Sequence, residues 1–277
     1  NDLKSFQQSL KTNPAVFPKS REEILEIYRG YIAQMQPELP KLFGLLPKNK
    51  VEVLPVEQYR EKEAAGAEYH QGTPDGSRPG QVYVNTGDFS ERSKISMEAT
   101  AYHEAIPGHH MQIDIAQNLP NLPMFRKQPN HTAYIEGWAL YAEQLGKDVG
   151  FYKDPLSDYG RLSSELFRAC RLVVDTGVHY KKWTRQQMID FMREHSALDE
   201  PDIQAEADRY IAIPAQALAY KMGQLKILEL RELAKQELGD RFDIKAFHDM
   251  VLNAGTLPLN ILDARIKNWI KEQKAAA

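Results

Sequence analysis

Eight segments with helical spacing of apolar residues fill the chain from residue 92 onward, and they leave little room for a sheet. They fall at 92–117, 131–147, 157–181, 184–196, 201–211, 214–238, 243–253 and 259–273. Thr184 with Gln187 forms a capping-box pattern at the start of one of them. The stretch "QNLPNLPMFRKQPN" (117–130), with three prolines, breaks two others apart. Nearer the start, Ile24, Leu25, Ile27, Tyr28, Tyr31 and Ile32 recur at helical spacing. Only "VEVLPVE" (51–57) and "GQVYVNT" (80–86) read as extended, joined by the turn-rich "HQGTPDGSRPG". The expected fold is therefore mainly α, a single domain over 1–277. A small antiparallel β ribbon and loop at 50–86 would pack beside the helix at 92–117.

The chain's 277 residues suffice for a large core. A formal net charge of −3 gives no electrostatic reason to expect nucleic acid as a partner. No apolar run approaches the roughly 20 residues of a membrane span. Cys170 is the one cysteine, which excludes an internal disulfide framework and cysteine-based zinc motifs. Any metal site must be built from His, Asp and Glu. The chain starts at Asn1 with no charged-then-apolar leader, so it reads as a piece of a longer protein whose localisation is not written in it.

The chemistry concentrates in "AYHEAIPGHHMQ" (101–112). His103 and Glu104 begin the His-Glu-x-x-His pattern, in which histidines at i and i+4 hold zinc and the Glu serves as general base. Pro107 stands at i+4 instead, and the next histidines are His109 and His110. In an unbroken helix an i+6 residue lies about 9 Å further along the axis. That is too far to share an ion bound at about 2.1 Å. Pro107-Gly108 either loops out the extra residues and returns a His to the site, or simply ends one helix and starts another. Downstream, "HTAYIEGWALYAEQL" (131–145) places Glu136 and Glu143 seven residues apart on one helical face. "IEGWALYAE" resembles the "NEGFASYVE"-type segment of zinc aminopeptidases. By that likeness Glu136 is the third ligand, and Glu143 supports the site.

"YHEAIPGHHMQ", "YIEGWALYAEQL", "RLVVDTGVHYKKWT" (171–184) and "RYIAIPAQALAYKMG" (209–223) occur in this order. Together they resemble the bacterial proteins grouped as domain of unknown function 885, from about Lys19 to the end of the chain. That family looks like zinc peptidases of the thermolysin-like clan. Its members are longer and often secreted or lipoprotein-like, which implies an extracytoplasmic home. Its persistent Pro-Gly-His step favours His109 as second ligand, with His110 as the alternate. Ala215 departs from the family, which often has Gly after the Pro.

On one helix, Arg168, Arg171, Asp175 and His179 recur at spacings of three and four and form a polar stripe. His179 is a candidate oxyanion donor, and Arg171 either holds Asp175 or meets a substrate carboxylate. Thermolysin-like sites pair a tyrosine with a histidine, which makes Tyr220 the second candidate donor. His70 and Arg78 are placed at the border of a cleft, and His131, His195 and His248 at the surface or at helix ends.

The reading that joins these is a zinc hydrolase acting on a peptide or small amide. His103, His109 and Glu136 hold one Zn2+ per chain, and Glu104 is the general base. Two rivals use the same residues differently. Two His and a carboxylate also describe a non-haem iron oxygenase. A helical binding module with a vestigial or structural metal site is the other. Substrate identity and oligomeric state are not legible.

Overall fold

The computed structural model describes residues 2–128 and 130–275. Its helices in chain order are α1 (Leu3–Lys11), α2 (Arg21–Met35), α3 (Leu39–Leu42), α4 (Met97–Glu104) and α5 (His109–Asn118). There follow α6 (Met124–Lys127), α7 (Thr132–Asp148), α8 (Pro155–His179), α9 (Arg185–His195) and α10 (Glu200–Ala212). The last three are α11 (Ala219–Leu238), α12 (Ile244–Leu252) and α13 (Leu259–Ala275). The strands are β1 (Val51–Pro55), β2 (Ala67–His70) and β3 (Gly80–Val84). The fold is thus mainly α with one small sheet. Thr184 caps α9 with the reciprocal Gln187 contact that the sequence implies. Asp154 caps α8, with Pro155 at its first position.

The sheet corrects the expected ribbon. β1 and β3 run parallel, not antiparallel, and the strand order is β1-β3-β2. The antiparallel partner of β3 is β2, joined to it through the turn-rich loop. β2 is only four residues, Ala-Glu-Tyr-His, too short and polar to announce itself as a strand. Two parallel strands need a long connection, and residues 56–79, with β2 inside them, supply it. The sheet does pack on the motif helix: Val53, Val82 and Val84 share a buried cluster with Met97, Ala101 and Ala105.

The main core joins α3, α4, α5, α7, α11, α12 and α13 around Tyr102, Trp138, Tyr141, Ile227 and Phe247. A separate cluster ties α8 to α9 and α10. His248 belongs to the first core, against expectation: it is fully buried on α12, between the Tyr141 hydroxyl and the Leu42 carbonyl. His131 and His195 do lie at helix ends, and His70 is exposed on β2. The 117–130 break contains the single-turn α6, and Pro129 lies outside the described residues. Among the described residues no helix is long and apolar enough to cross a membrane.

Candidate metal centre

The expected 92–117 helix is two helices, and the break between them builds the site. α4 ends at Glu104, and α5 starts at His109. Trp138 of α7 donates its indole N–H to the Pro107 carbonyl at 2.9 Å and anchors the turn. Gly108 presses against the end of α4. A Cβ on it would sit 1.9 Å from the His103 carbonyl oxygen, so no other residue fits without moving the backbone. The chain therefore folds back on itself, and the His103 and His109 rings meet edge to face, 4.8 Å between centroids. Both sequence alternatives for Pro107-Gly108 hold at once: one helix ends, another begins, and a histidine returns.

Glu136 comes in from α7. Its Oε2 lies 3.6 Å from His103 Nε2 and 3.3 Å from His109 Nε2. Three ligands about 2.1 Å from a tetrahedral ion sit about 3.4 Å apart, so these separations suit a shared cation. Oε2 of Glu136 is buried and aligned for a hydrogen bond with neither imidazole. An orphaned carboxylate oxygen between two ring nitrogens suits a ligand set better than an ion pair. Glu104 faces the same space: one ligand atom each from His103, Glu104 and His109 lie within 4.8 Å of one another. Its carboxylate makes no hydrogen bond to a described residue.

The helix pairing that aims Glu136 at this point depends on glycine. A Cβ on Gly137 would stand 2.3 Å from the Gly223 Cα, and one on Gly223 would stand 1.9 Å from the Ala133 carbonyl oxygen. Helices α7 and α11 thus touch backbone to backbone, which brings Tyr220, one turn before Gly223, over the cluster. The Tyr220 and His103 rings stack with centroids 6.2 Å apart.

Glu143 lies behind the cluster. His103 Nδ1 donates to Glu143 Oε1 at 2.8 Å, which turns Nε2 toward Glu136 and His109. Arg168 Nη2 stands 3.6 Å from the same Glu143 oxygen. His109 Nδ1 has no such partner among the described residues. His110 points the other way. Its Nε2 donates to the Asn49 carbonyl at 3.0 Å, and its Nδ1 lies 3.1 Å from the Tyr69 hydroxyl. It pins the loop before β1, whose Lys48 and Asn49 amides donate to Asp114 of α5.

Burial works against charge on every group here, and neighbours decide the result. Burial would lower the His103 pKa, but Glu136, Glu143 and Glu104 outweigh it and raise it to about 9. Burial would raise that of Glu136, yet His103 and His109 hold it below the usual carboxylate range. For Glu104 burial wins over the attraction of His103 and His109, and its pKa rises. Burial depresses His110 and keeps it neutral.

The polar stripe of α8 divides. Asp175 accepts from the Ala215 amide at 3.0 Å. Arg171 donates to Gln216 Oε1 at 3.0 Å and makes no ion pair with Asp175 among the described residues. Gln216 Nε2 in turn donates to the Tyr220 hydroxyl at 3.2 Å. His179 is exposed at the end of α8, and its Nε2 donates to the Tyr210 carbonyl at 2.8 Å. It lies eight residues, about 12 Å along the helix axis, beyond Arg171. Nothing in the sequence indicated that Gln216 joins Arg171 to Tyr220.

A family described as "Bacterial protein of unknown function (DUF885)" matches residues 1–266. The crystal structure of "the putative lipoprotein from Colwellia psychrerythraea" is 43% identical, with a TM-score of 0.92, over 95% of this chain and 46% of that one. A second, "a putative lipoprotein of unknown function from Shewanella oneidensis", is 21% identical with a TM-score of 0.77, over 96% and 49%. It shares the fold. The chain spans about half the length of these solved structures. No curated protein matches it.

Proposed function

The chain belongs to the bacterial DUF885 family, and from that premise we propose that it is the metal-binding, catalytic part of a zinc-dependent hydrolase acting on peptide or amide bonds. The observation that carries this reading is the orphaned Glu136 Oε2 between the Nε2 atoms of His103 and His109, with Glu104 facing the same space. His103, His109 and Glu136 would hold the ion. When bound, Zn2+ supplies Lewis acidity: it polarises a carbonyl and eases deprotonation of water at neutral pH.

The chain's own groups account for the remaining chemistry. Glu104 takes a proton from water and passes it to the departing amine nitrogen. The Tyr220 hydroxyl accepts from Gln216, which leaves its own proton free for the oxygen of a tetrahedral intermediate. Glu143 holds the tautomer of His103. An extracytoplasmic home belongs to the same proposal and leans on the names of the two solved structures.

The test is metal stoichiometry and identity in the purified chain, with peptide hydrolysis followed by mass spectrometry. About one zinc per chain is expected, lost in His109→Ala and kept in His110→Ala. Glu104→Gln should keep zinc and lose at least ~100-fold in turnover. Loss of zinc in Glu104→Gln would remove Glu104 from the base role. Iron in place of zinc would favour the oxygenase reading of the same triad.

A further inference from the structure

Arg171 is a buried cation without an anion. It is 3% exposed, and no carboxylate lies within 4 Å of its guanidinium among the described residues. Its neighbour Arg168 has Glu143 at 3.6 Å, and Asp175, one turn away, is occupied by the Ala215 amide. Arg171 Nη2 donates to Gln216, and Nε is sealed from solvent with no acceptor. Nη1 bonds no described residue and is not among the sealed atoms. Burying a guanidinium is costly unless a counter-charge meets it, and this one meets the neutral Gln216 amide and aromatic faces. Its Cζ lies 4.1 Å from the Tyr220 ring centroid, 5.2 Å from that of Tyr210 and 5.6 Å from that of Phe167.

These neighbours place it beside the reacting centre. Tyr220 has the guanidinium 4.1 Å from its ring centroid and also stacks on His103. The two separations end to end are about 10 Å, within the reach of three extended residues at about 3.4 Å each. Phe167 and Arg168 also line a cavity of about 1050 Å³ between α1, α8 and the residues around Asp199.

We propose that Arg171 is the binding residue for a substrate carboxylate, so that the hydrolase cleaves a bond one or two residues from a negatively charged group. The inference rests on the hydrolase reading above. Nη1, the guanidinium nitrogen that is neither bonded nor sealed, offers a carboxylate N–H donors in the fixed plane of the guanidinium, which an ammonium in its place does not reproduce. Gln216 holds the guanidinium by Nη2, and the aromatic faces keep it level. The carboxylate is either the C-terminal group of a peptide or an acidic side chain, and the two sources share this chemistry.

The full chain is tested with three sets of acetylated peptides: free acids, their C-terminal amides, and amides carrying one internal Asp or Glu. Free acids, or amides with the acidic side chain, should be cleaved about 10- to 100-fold faster in kcat/KM than neutral amides. The set that is preferred identifies the source. Arg171→Met should erase the preference with zinc content unchanged, and Arg171→Lys should restore it only in part. Equal cleavage of all three sets by the unmodified chain overturns the proposal while leaving the hydrolase reading intact. Should no set be cleaved, the hydrolase reading fails. Calorimetric binding of the same peptides to the zinc-loaded Glu104→Gln chain then decides: a preference for carboxylate peptides that Arg171→Met abolishes upholds the subsite, and its absence refutes it.

Discussion

Glu143 illustrates how a residue outside the proposed ligand triangle would govern it. Its Oε1 accepts from His103 Nδ1, its backbone carbonyl accepts from the Tyr152 hydroxyl at 2.6 Å, and Arg168 stands beside the same carboxylate. The imidazole is thereby fixed in one tautomer and one rotation, with Nε2 toward Glu136. Carboxylates behind a ligating histidine also raise its basicity. Glu143→Gln keeps the shape, removes the charge and weakens the grip on the ring. Zinc affinity should fall about 10- to 100-fold, read by competition with a chromophoric chelator. Affinity equal to that of the unmodified chain would confine Glu143 to a packing role. At this scale the sequence was informative wherever chemistry and spacing coincide in one short stretch, as at His103, Glu104 and His109. It was silent about the direction of adjacent side chains: His109 and His110 are neighbours, yet one faces Glu136 and the other the Asn49 carbonyl.

At the scale of elements, helix positions were legible because each helix carries its own apolar spacing and its own stop signals. The Pro107-Gly108 break shows the same locality. Sheet order was not legible, because the antiparallel neighbour of β3 is a four-residue strand and the sheet is placed by packing against α2 and α4. Nor was the contact of Gly137 with Gly223, since each glycine alone reads only as a weak point in a helix. The turn between α10 and α11 carries a prediction of its own. Ala215 sits at φ 68°, in the left-handed region, with its amide held by Asp175. A Cβ there costs roughly 1–2 kcal/mol, part of which glycine would give back as greater freedom of the unfolded chain. Ala215→Gly should therefore stabilise the protein by about 1 kcal/mol, a rise of about 2–4 °C in the thermal midpoint. A lower midpoint would mean that the turn is not strained as its dihedral suggests.

The whole molecule is closed by a polar link inside an apolar core, and that link weakens in acid. His248 of α12 is sealed among Phe43, Trp138, Tyr141 and Phe247, with Nδ1–H donating to the Leu42 carbonyl at 2.8 Å. Arg231 of α11 donates to the Tyr141 hydroxyl, which supplies its proton to His248 Nε2 at 2.7 Å. One neutral imidazole thus ties α3, α7, α11 and α12 together. Burial lowers its pKa to about 3; the Leu42 hydrogen bond opposes this and nearby Arg231 adds to it. In the unfolded chain a histidine titrates near 6.5, so between about pH 6.5 and about 3 the unfolded state binds a proton that the folded state refuses. Stability is then fully present above about pH 6.5 and drains away as the pH falls, by about 2 kcal/mol at pH 5. Urea midpoints at pH 7 and pH 5 should show this drop in the unmodified chain. In His248→Gln, which offers an amide to the same neighbours and takes up no proton, the difference between the two pH values should shrink by about the same amount. An equal drop in both proteins would assign the acid loss to other groups and leave His248 a tie without a titration.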